Sequence, residues 1–372
     1  MSDPRPVVAF LVPGGPASAM AERAGAFADR LSGEIDPRLV FAEGRRASAA
    51  LAMLRRLEGL RPRLCYVLDI AAAGVAAAGM YRAATGTPMV VDTGDAVVEL
   101  GRALGRGPVG MLATRGLEAF ALRAAARVVV RGRHHRDLLA RAGIPAEFVP
   151  DGVAVDQFAP GPDAGPRPAG RPLTIGLVGS CVWSPVRRNC YGWDLIELVR
   201  ILRDRLPDLP VRGILIGDGS GVDVLKRRCE EYGLGGRIQF AGRVPYEELP
   251  ACLRRIDICL STQTNDAIGM VRTTGKLPLY LAAGRFVLAS RVGEAARVLP
   301  PEMLVEYRGS SDPDYPGRLA ERVIRLAECG APFDHRPECV ALAREHFDYD
   351  RLAGRVAGVI QGTLARRRGR PT

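Results

Sequence analysis

Two cations lie where a helix is expected to begin, in the stretch RTTGKLPLYLAAG at 272–284. The apolar run after Lys276 predicts a short helix, because Pro278 suits a first turn and Gly284 suits a helix end. Arg272 and Lys276 then lie at or just before the positive end of the helix dipole, where a cation is unfavourable. An anion held between them would remove the conflict, so the spacing indicates an anion site. Two solvated cations with nothing bound are the alternative.

In the first half of the sequence, carboxylates and glycines directly follow predicted strands, where a ligand can be contacted. The segment VVDTGDAVVEL places Asp92 and Asp95 at the carboxyl end of a strand, facing a cleft, where either can orient or deprotonate a hydroxyl group. Asp95 as a simple helix cap is the alternative. Gly14 and Gly15 in LVPGGPAS form a turn between a strand and a helix, which either approaches a ligand or serves only as a tight turn.

Other signals are weaker. GDGSG at 217–221 follows a strand but lacks the spacing of a dinucleotide fingerprint. Two D-x-D triplets read as ordinary turn residues. Four histidines without a second cluster at ligand spacing predict no metal site. The sequence has no G-x-S-x-G elbow, which disfavours serine hydrolase chemistry.

Composition bounds the class of protein. The 372 residues suit two domains, and a net charge of +11 comes from scattered arginines rather than a nucleic-acid-binding patch. Only two lysines occur, Lys226 and Lys276, and the dense basic run at 365–370 predicts a solvated tail. Eight cysteines without a C-x-x-C pair predict reduced, mostly buried thiols in the cytosol.

Strand and helix patterns alternate along the chain, which predicts an α/β protein with parallel sheets. A Pro/Gly-rich linker at 159–172 separates two similar halves, and the cleft between them is the expected ligand site. The predicted strands are 7–12, 38–42, 63–69, 88–92, 126–131 and 146–151, then 173–180, 211–219, 237–242, 256–262, 285–290 and 303–307.

No apolar run is long enough to act as a signal peptide or to cross a bilayer. The segments 53–64 and 102–128 combine arginines with apolar residues, as peripheral membrane helices do, although core-facing helices with solvated arginines are the alternative. The expectation is a cytoplasmic protein with peripheral contact to the inner face of the membrane as an option.

The segment VPDGVAVDQFAP at 149–160 resembles the P-N-G-V-D-x-x-x-F-x-P hinge of retaining glycosyltransferases of family 4, with Asp151 in place of asparagine. The order IGLVGS, ILIGDGSG, IQFAGRVPYEELPACLRRIDICLS and KLPLYLAAGRFVLAS is similar too. The resemblance implies a GT-B fold, with two Rossmann-like domains whose parallel sheets face a cleft. It implies an acceptor domain at 1–160, a nucleotide-sugar donor domain at 171–345, a C-terminal helix at 346–365 packing back on the first domain, and no metal.

A metal-free enzyme of this kind must neutralise the departing nucleoside diphosphate with cations and backbone amides. The resemblance therefore implies a donor site formed by Arg272, Thr273, Thr274, Gly275 and Lys276. It also implies that the turn at Gly14 and Gly15 approaches donor phosphate and acceptor, that Gly217 lies beside the donor, and that Arg243 and Val244 meet the base.

The sequence departs from the family at several positions. Val271 and Leu279 stand where the family carries two glutamates, and Asp266 is a possible substitute for one of them. Ser180 or Cys181, and Tyr191, replace the family's phosphate-binding arginine and lysine. Arg187 and Arg188 in SPVRRNCYG lie within reach of the same place and are the expected substitutes.

The predicted function is transfer of a sugar, with retention of configuration and without a metal, to a hydroxyl of a glycolipid, a polysaccharide precursor or a small metabolite. Retaining transfer in this fold is thought to proceed on the front face, with the leaving phosphate drawing the acceptor proton, so few acid–base residues are needed. Asp92, Asp95, Lys276 and Arg188 are the candidate catalytic residues. A catalytically impaired protein that binds nucleotide or glycan is the alternative, and an epimerase or phosphorylase is a third possibility.

Overall fold

A computed structural model describes residues 5–44, 46–160, 171–329 and 336–368. Strands and helices alternate along these ranges, and each of the twelve predicted strands is present with its ends shifted by a few residues. The prediction of an α/β protein is confirmed. Most of the predicted linker, residues 161–170, lies outside the described residues.

The first sheet contains six parallel strands in the order β2-β1-β3-β4-β5-β6. Helices cover both faces, so the central strands β3 and β4 are buried along their whole length rather than at alternate residues. The strands are β1 (Val7–Val12), β2 (Asp36–Phe41), β3 (Leu64–Leu68), β4 (Met89–Thr93), β5 (Arg127–Val130) and β6 (Ala146–Phe148).

The second sheet repeats this plan with six parallel strands in the order β12-β11-β10-β7-β8-β9. Its core is the largest apolar cluster among the described residues. The strands are β7 (Leu173–Val178), β8 (Val211–Ile216), β9 (Ile238–Gly242), β10 (Ile258–Ser261), β11 (Phe286–Ser290) and β12 (Leu304–Val305).

The helices connect successive strands and place the start of each connection at the carboxyl edge of a sheet. They are α1 (Ala19–Leu31), α2 (Arg46–Leu60), α3 (Ala72–Thr85), α4 (Val97–Ala103), α5 (Pro108–Ala124), α6 (Arg133–Arg141), α7 (Val155–Phe158), α8 (Trp193–Arg205), α9 (Val222–Glu231), α10 (Leu249–Leu253), α11 (Ala267–Met270), α12 (Lys276–Ala282), α13 (Ala295–Val298), α14 (Tyr315–Glu328), α15 (Arg336–His346) and α16 (Tyr349–Arg368).

The chain passes between the two halves twice, and the two passages lie side by side. Val153, on the way out of the first half, pairs with Asp348, on the way back. The Val153 amide donates to the Phe347 carbonyl at 2.9 Å, and the Tyr349 amide donates to the Val153 carbonyl at 3.2 Å. After the second passage α16 packs on α1, where the rings of Phe27 and Tyr349 meet edge to face with centroids 5.5 Å apart.

Candidate functional site

Lys276 is the first residue of α12 and lies at the carboxyl edge of the second sheet. Its ammonium is 3.7 Å from the centroid of the Tyr191 ring, a cation–π contact. A Cβ on Gly179 would lie 2.4 Å from the Lys276 Cε, so the loop after β7 closes directly over the side chain. No carboxylate among the described residues pairs with Lys276. The site is a cation held at the cleft without a counter-ion.

Burial, and then the positive charge of nearby Arg272, lowers the pKa of Lys276 to about 8. Helix α12 is only seven residues long and is a minor influence, so desolvation rather than the helix dipole makes this position unfavourable for a cation. A negatively charged ligand would reverse both effects. The position of Lys276 is therefore unfavourable for a cation, as the sequence indicated, but the main cause is burial rather than the helix dipole.

Bare backbone surrounds the lysine. Gly217 has φ +144°, and a Cβ there would lie 1.9 Å from the Gly179 carbonyl oxygen, so the loops after β7 and β8 touch through glycine alone. The Thr274 Oγ1 is buried and has no hydrogen-bond partner among the described residues. Lys276 thus lies beneath the two glycine loops, and two residues before it Thr274 carries a buried hydroxyl without a hydrogen-bond partner among the described residues.

The structure corrects the role expected of Arg272. Its guanidinium forms an ion pair with Asp95 of the first half, so it is not a free phosphate-binding cation in this arrangement. Asp95 is in turn engaged rather than free, and it does not cap α4, whose N-cap is Ala96 without a side-chain bond. The pair spans the cleft because both residues follow the carboxyl ends of their strands.

Thr273 is also committed to the first half. Its amide donates to the Arg131 carbonyl at 3.2 Å, and its hydroxyl donates to the same oxygen. A Cβ on Gly132 would lie 2.3 Å from the Val271 carbonyl oxygen, which shows how closely the two backbones approach. Gly275 is exposed at the start of α12.

A second contact between the halves flanks this one. Glu294, which is 2% exposed, accepts from the Arg133 amide at 2.6 Å and from its guanidinium at 2.5 Å. Residues 131–133 therefore make two contacts with the second half: Arg131 and Gly132 meet the loop that carries Thr273, and Arg133 meets Glu294.

Asp92 does not face the cleft, contrary to the sequence expectation. It is fully buried and accepts from Arg23 at 2.9 Å, from Arg131 at 3.1 Å and from the Tyr66 hydroxyl at 2.9 Å. Burial alone would raise the pKa of Asp92, but the charges of Arg23 and Arg131 outweigh it and lower that pKa. Arg131 also reaches Asp69 at 2.8 Å.

The sequence analysis missed Arg23 and Arg131, although one signal was present. Arg23 lies on the buried face of α1, four residues before Phe27, so a cation stood within an apolar stripe. A buried cation requires a buried acid, and Asp92 inside the apolar strand MVVDT was the candidate. With these partners Asp92 is part of a buried ion-pair network of the first half.

The two arginines expected to replace the family's cations differ. Arg187 pairs with Asp266 at 2.6 Å, and Asp266 also caps α11 by accepting from the Ile268 and Gly269 amides. Arg188 is exposed, has φ +54°, and pairs with no carboxylate that the structure describes. Of these two arginines, Arg188 is therefore the one that remains available to an anion.

Among the remaining predicted residues, Arg243 contacts the turn after β1 across the cleft. Gly14 has φ +85°, and a Cβ on Gly15 would meet nothing within 4 Å, so this turn presents open backbone. Arg243, after β9, donates to the Ala17 carbonyl at 2.6 Å. Val244 is half-buried against the second core. The turn after β1 and the loop after β9 are thus brought together.

Val271 and Leu279, at the positions of the family's glutamates, are both buried, and Leu279 belongs to the apolar core of the second half. Neither presents an acid to the cleft. Asp266 is the nearest carboxylate in sequence, and it is held by Arg187 and by the α11 cap.

Comparison with known proteins agrees with this architecture. Residues 193–337 match the family model "Glycosyl transferases group 1". The two six-stranded parallel sheets match the GT-B fold of solved glycosyltransferase structures. The predicted resemblance and fold are confirmed.

Solved structures share the whole architecture at low sequence identity. Sucrose-phosphate synthase from Thermosynechococcus elongatus is 16% identical with a TM-score of 0.76, covering 97% of this chain and 100% of that one. Anabaena HepE in complex with UDP-glucose is 15% identical with a TM-score of 0.72, covering 96% and 100%. At such identities the likeness concerns the fold.

Two curated relatives match part of the sequence. D-inositol 3-phosphate glycosyltransferase of Corynebacterium urealyticum is 26% identical over 39% of this chain and 35% of its own length. A GDP-mannose-dependent alpha-(1-6)-phosphatidylinositol monomannoside mannosyltransferase of Mycolicibacterium smegmatis is 32% identical over 44% of each. The chain thus spans less than half the length of these relatives.

The described ranges lack two kinds of feature. No cluster of three or more potential metal ligands occurs within them. None of the helices described is long and apolar enough to cross a membrane.

Proposed function

We propose that this protein transfers a sugar from a nucleotide-sugar to a hydroxyl acceptor, with the donor diphosphate held at Lys276. The observation that carries the proposal is the partly buried ammonium of Lys276, which lacks an acidic partner among the described residues and lies beneath the Gly179 loop. A buried charge without a partner is costly, and a diphosphate would supply the missing charge.

The neighbours of Lys276 support the same ligand. The unpartnered hydroxyl of Thr274 can donate to a phosphate oxygen, and the glycine contact between Gly179 and Gly217 lets backbone approach it. Arg188 can complete the site from the loop after β7. The GT-B structures solved with UDP or UDP-glucose are consistent with a nucleotide-sugar donor.

We propose a metal-independent reaction with retention of configuration. Lys276, Thr274 and Arg188 would stabilise the departing diphosphate, which is the task a metal performs elsewhere. The leaving phosphate would take the acceptor proton on the same face. Asp95, which pairs with Arg272 of the second half, would become free to orient a hydroxyl once a diphosphate attracts Arg272 away from it.

A second function has its own support. Val271 and Leu279 are buried and apolar where the family carries glutamates, and Asp92 is sequestered by two arginines. A protein that binds a nucleotide-sugar without transferring the sugar would show this pattern. Incubation with UDP-glucose and GDP-mannose distinguishes the two, because a transferase releases the nucleoside diphosphate slowly by hydrolysis and a binding protein does not.

We also propose that the protein works in the cytoplasm and can contact the membrane surface from there. The eight cysteines are all free thiols. Of the two basic, apolar segments, 53–64 turns Met53 and Leu57 into the core, whereas 102–128 leaves large apolar side chains exposed. Any membrane contact therefore belongs to the second segment.

The donor site can be tested with a matched pair of variants, because the chain has only two lysines. Lys276→Ala should weaken binding of UDP or GDP ten- to a hundredfold, since a hydrogen bond to a charged group contributes about 1.5–3 kcal/mol. Binding of the bare nucleoside should not change. Lys226→Ala, which removes a lysine from the face of Phe240, should change neither.

Isothermal calorimetry measures both affinities. Equal weakening of diphosphate and nucleoside in Lys276→Ala, or no weakening of either, would place the donor elsewhere. Addition of EDTA checks the metal-free proposal, and unchanged turnover is the expected result.

A further inference from the structure

Large exposed apolar side chains are concentrated on one face of the first half. Among the described residues, nine such side chains are exposed, and five of them lie on α3, on α5 or just before α5: Met80, Leu104, Val109, Leu112 and Phe120. Val109 is 84% exposed and Leu112 is 73% exposed. Contiguous apolar surface of this kind marks an interaction site on a water-facing protein.

A groove runs between α3 and α5 within this face and has a volume of about 510 Å³. All nine residues that line it are Ala, Gly, Val, Leu, Met or Phe. Val75 is fully buried beneath it, Met80 and Phe120 are exposed, and the Phe120 ring reaches across to Gly79 of α3. Small residues such as Gly116 keep the groove open, since a Cβ at that position would meet nothing within 4 Å.

The shape fits a linear apolar ligand. The α3 residues that line the groove run from Val75 to Ala83, about 12 Å at the rise of an α-helix. Both helices start at the carboxyl edge of the first sheet, where Asp95 lies, so one end of the groove points towards the cleft between the halves. A ligand in the groove can carry its polar end towards that cleft.

The rim of the groove is basic. Arg82, next to the lining residue Ala83, and Arg123, one turn after Phe120, are exposed beside it, and neither pairs with a carboxylate in the part of the chain that the structure describes. The two glutamates of this region are occupied: Glu99 pairs with Arg102, and Glu118 is half-buried and accepts a backbone hydrogen bond from Val97. Apolar surface with unpaired arginines around it complements an anionic bilayer.

The charges argue against other occupants. In a two-fold contact between copies of this chain, the same patch meets itself, which would bring two sets of unpaired arginines together. The basic segment at 365–370 of the sequence would be repelled in the same way.

We propose that the α3–α5 groove binds the alkyl chain of an anionic membrane lipid, and that the sugar acceptor is therefore lipid-linked. The second clause rests on the proposed function, whereas the first does not. Lipid binding brings the cleft to the membrane surface, so an acceptor hydroxyl on a lipid head group reaches Asp95 without leaving the bilayer.

Vesicle flotation tests the surface. The full chain should float with vesicles of phosphatidylcholine and phosphatidylglycerol at 3:1 in low salt, and poorly with phosphatidylcholine alone. Leu112→Glu should lower the partition coefficient at least tenfold, because it removes apolar contact and adds a repelled charge. Leu51→Glu, on α2 and 51% exposed, is the matched control and should float like the unaltered protein.

The groove itself is tested by filling it. Gly116→Phe should weaken binding of monomeric dodecanoyl lysophosphatidylglycerol at least tenfold in calorimetry, because the ring occupies the open space. Gly354→Phe places the same side chain on exposed, open surface of α16 and should leave that affinity unchanged. Thermal melting of each variant confirms that it is folded.

Three results would overturn the proposal: no flotation with anionic vesicles, equal loss in Leu112→Glu and Leu51→Glu, or lysolipid binding unaffected by Gly116→Phe. A change of mass in sedimentation for Leu112→Glu alone would instead identify a face between copies of the chain. UDP binding is measured on the same samples. Vesicle binding without UDP binding would reject the proposed function and the lipid-linked acceptor and keep the lipid-binding groove, whereas UDP binding without vesicle binding would reject the groove and keep the proposed function.

Discussion

The two halves carry charges at matching sheet edges but treat them differently. In the first half Arg23, Arg131, Asp69 and Asp92 satisfy one another in a buried network. In the second half Lys276 has an aromatic face and glycine backbone around it but no acid partner among the described residues. Charges that are paired within the protein serve the fold, and a charge left without a partner is available to a ligand.

The largest effect that separates these regions is expected at Asp92. Asp92→Asn leaves Arg23 and Arg131 short of a negative charge in the core, and loss of one member of a buried ion pair costs about 3–5 kcal/mol. The free energy of unfolding, from urea titration, should fall by about that amount. Asp350→Asn, which breaks the exposed pair with Arg30, should cost less than about 1 kcal/mol. Similar losses in the free energy of unfolding for Asp92→Asn and Asp350→Asn would contradict the structural role assigned to the buried network.

In the second half, the glycine contact that covers Lys276 is expected to be sensitive to substitution. Gly217→Ala introduces a Cβ 1.9 Å from the Gly179 carbonyl oxygen at φ +144°, and backbone strain of this kind costs about 1–3 kcal/mol. Because the displaced loop covers Lys276, UDP affinity should fall as well. Gly15→Ala, with open space around it, should change stability by less than about 0.5 kcal/mol. Unfolding curves and calorimetry on both variants decide the matter, and an unperturbed Gly217→Ala would contradict the contact.

The contact between the regions should give an intermediate effect. Glu294→Gln keeps the shape of the side chain but weakens its bonds to Arg133, which is itself partly exposed, so we expect a loss of about 1 kcal/mol. The halves should separate more easily, and small-angle X-ray scattering should show a larger radius of gyration without ligand. Arg136→Gln, which alters an exposed pair on the same helix, is the control. An unchanged radius in Glu294→Gln would show that the remaining contacts hold the halves together.

The most gradual effect concerns pH. The pKa of Lys276 is about 8 in the folded protein and about 10.4 in an unfolded chain, so the unfolded state binds more protons between these values. The stability of the ligand-free protein should therefore rise with pH from about 8 to 10, by at most about 1.4 kcal/mol per pH unit. Lys276→Ala should lack this rise. UDP affinity should fall over the same range, because Lys276 loses its charge, and a flat profile in the unaltered protein would contradict the placement of this lysine.

The fold was readable from the sequence because it depends on patterns that repeat. Twelve apolar runs separated by helical segments specify parallel strands covered on both faces, and no single residue decides the result. The unusual position of Lys276 was predictable for a similar reason, since a cation at the start of a helix conflicts with its local surroundings, and the anion that would bind there stays a prediction. In both cases the information lies in nearby residues.

The pairing of charges was not readable because it depends on contacts distant in sequence. Arg23 and Asp92 are separated by 69 residues, and Arg272 and Asp95 belong to different halves. An aspartate at the end of a strand looks the same in sequence whether it faces solvent or meets a guanidinium from α1. Only the packing of α1 against the first sheet settles which aspartate is engaged.

The paired passages at Val153 and Asp348 have a mechanical consequence. Two domains joined by one chain segment can rotate about several axes. Two segments that are hydrogen-bonded side by side restrict the domains to essentially one axis of rotation. Closing such a joint brings the same atoms together each time, so Arg272 meets Asp95 and Thr273 meets Arg131 without a search over orientations. Chain connectivity thus supplies part of the precision that side chains would otherwise have to provide.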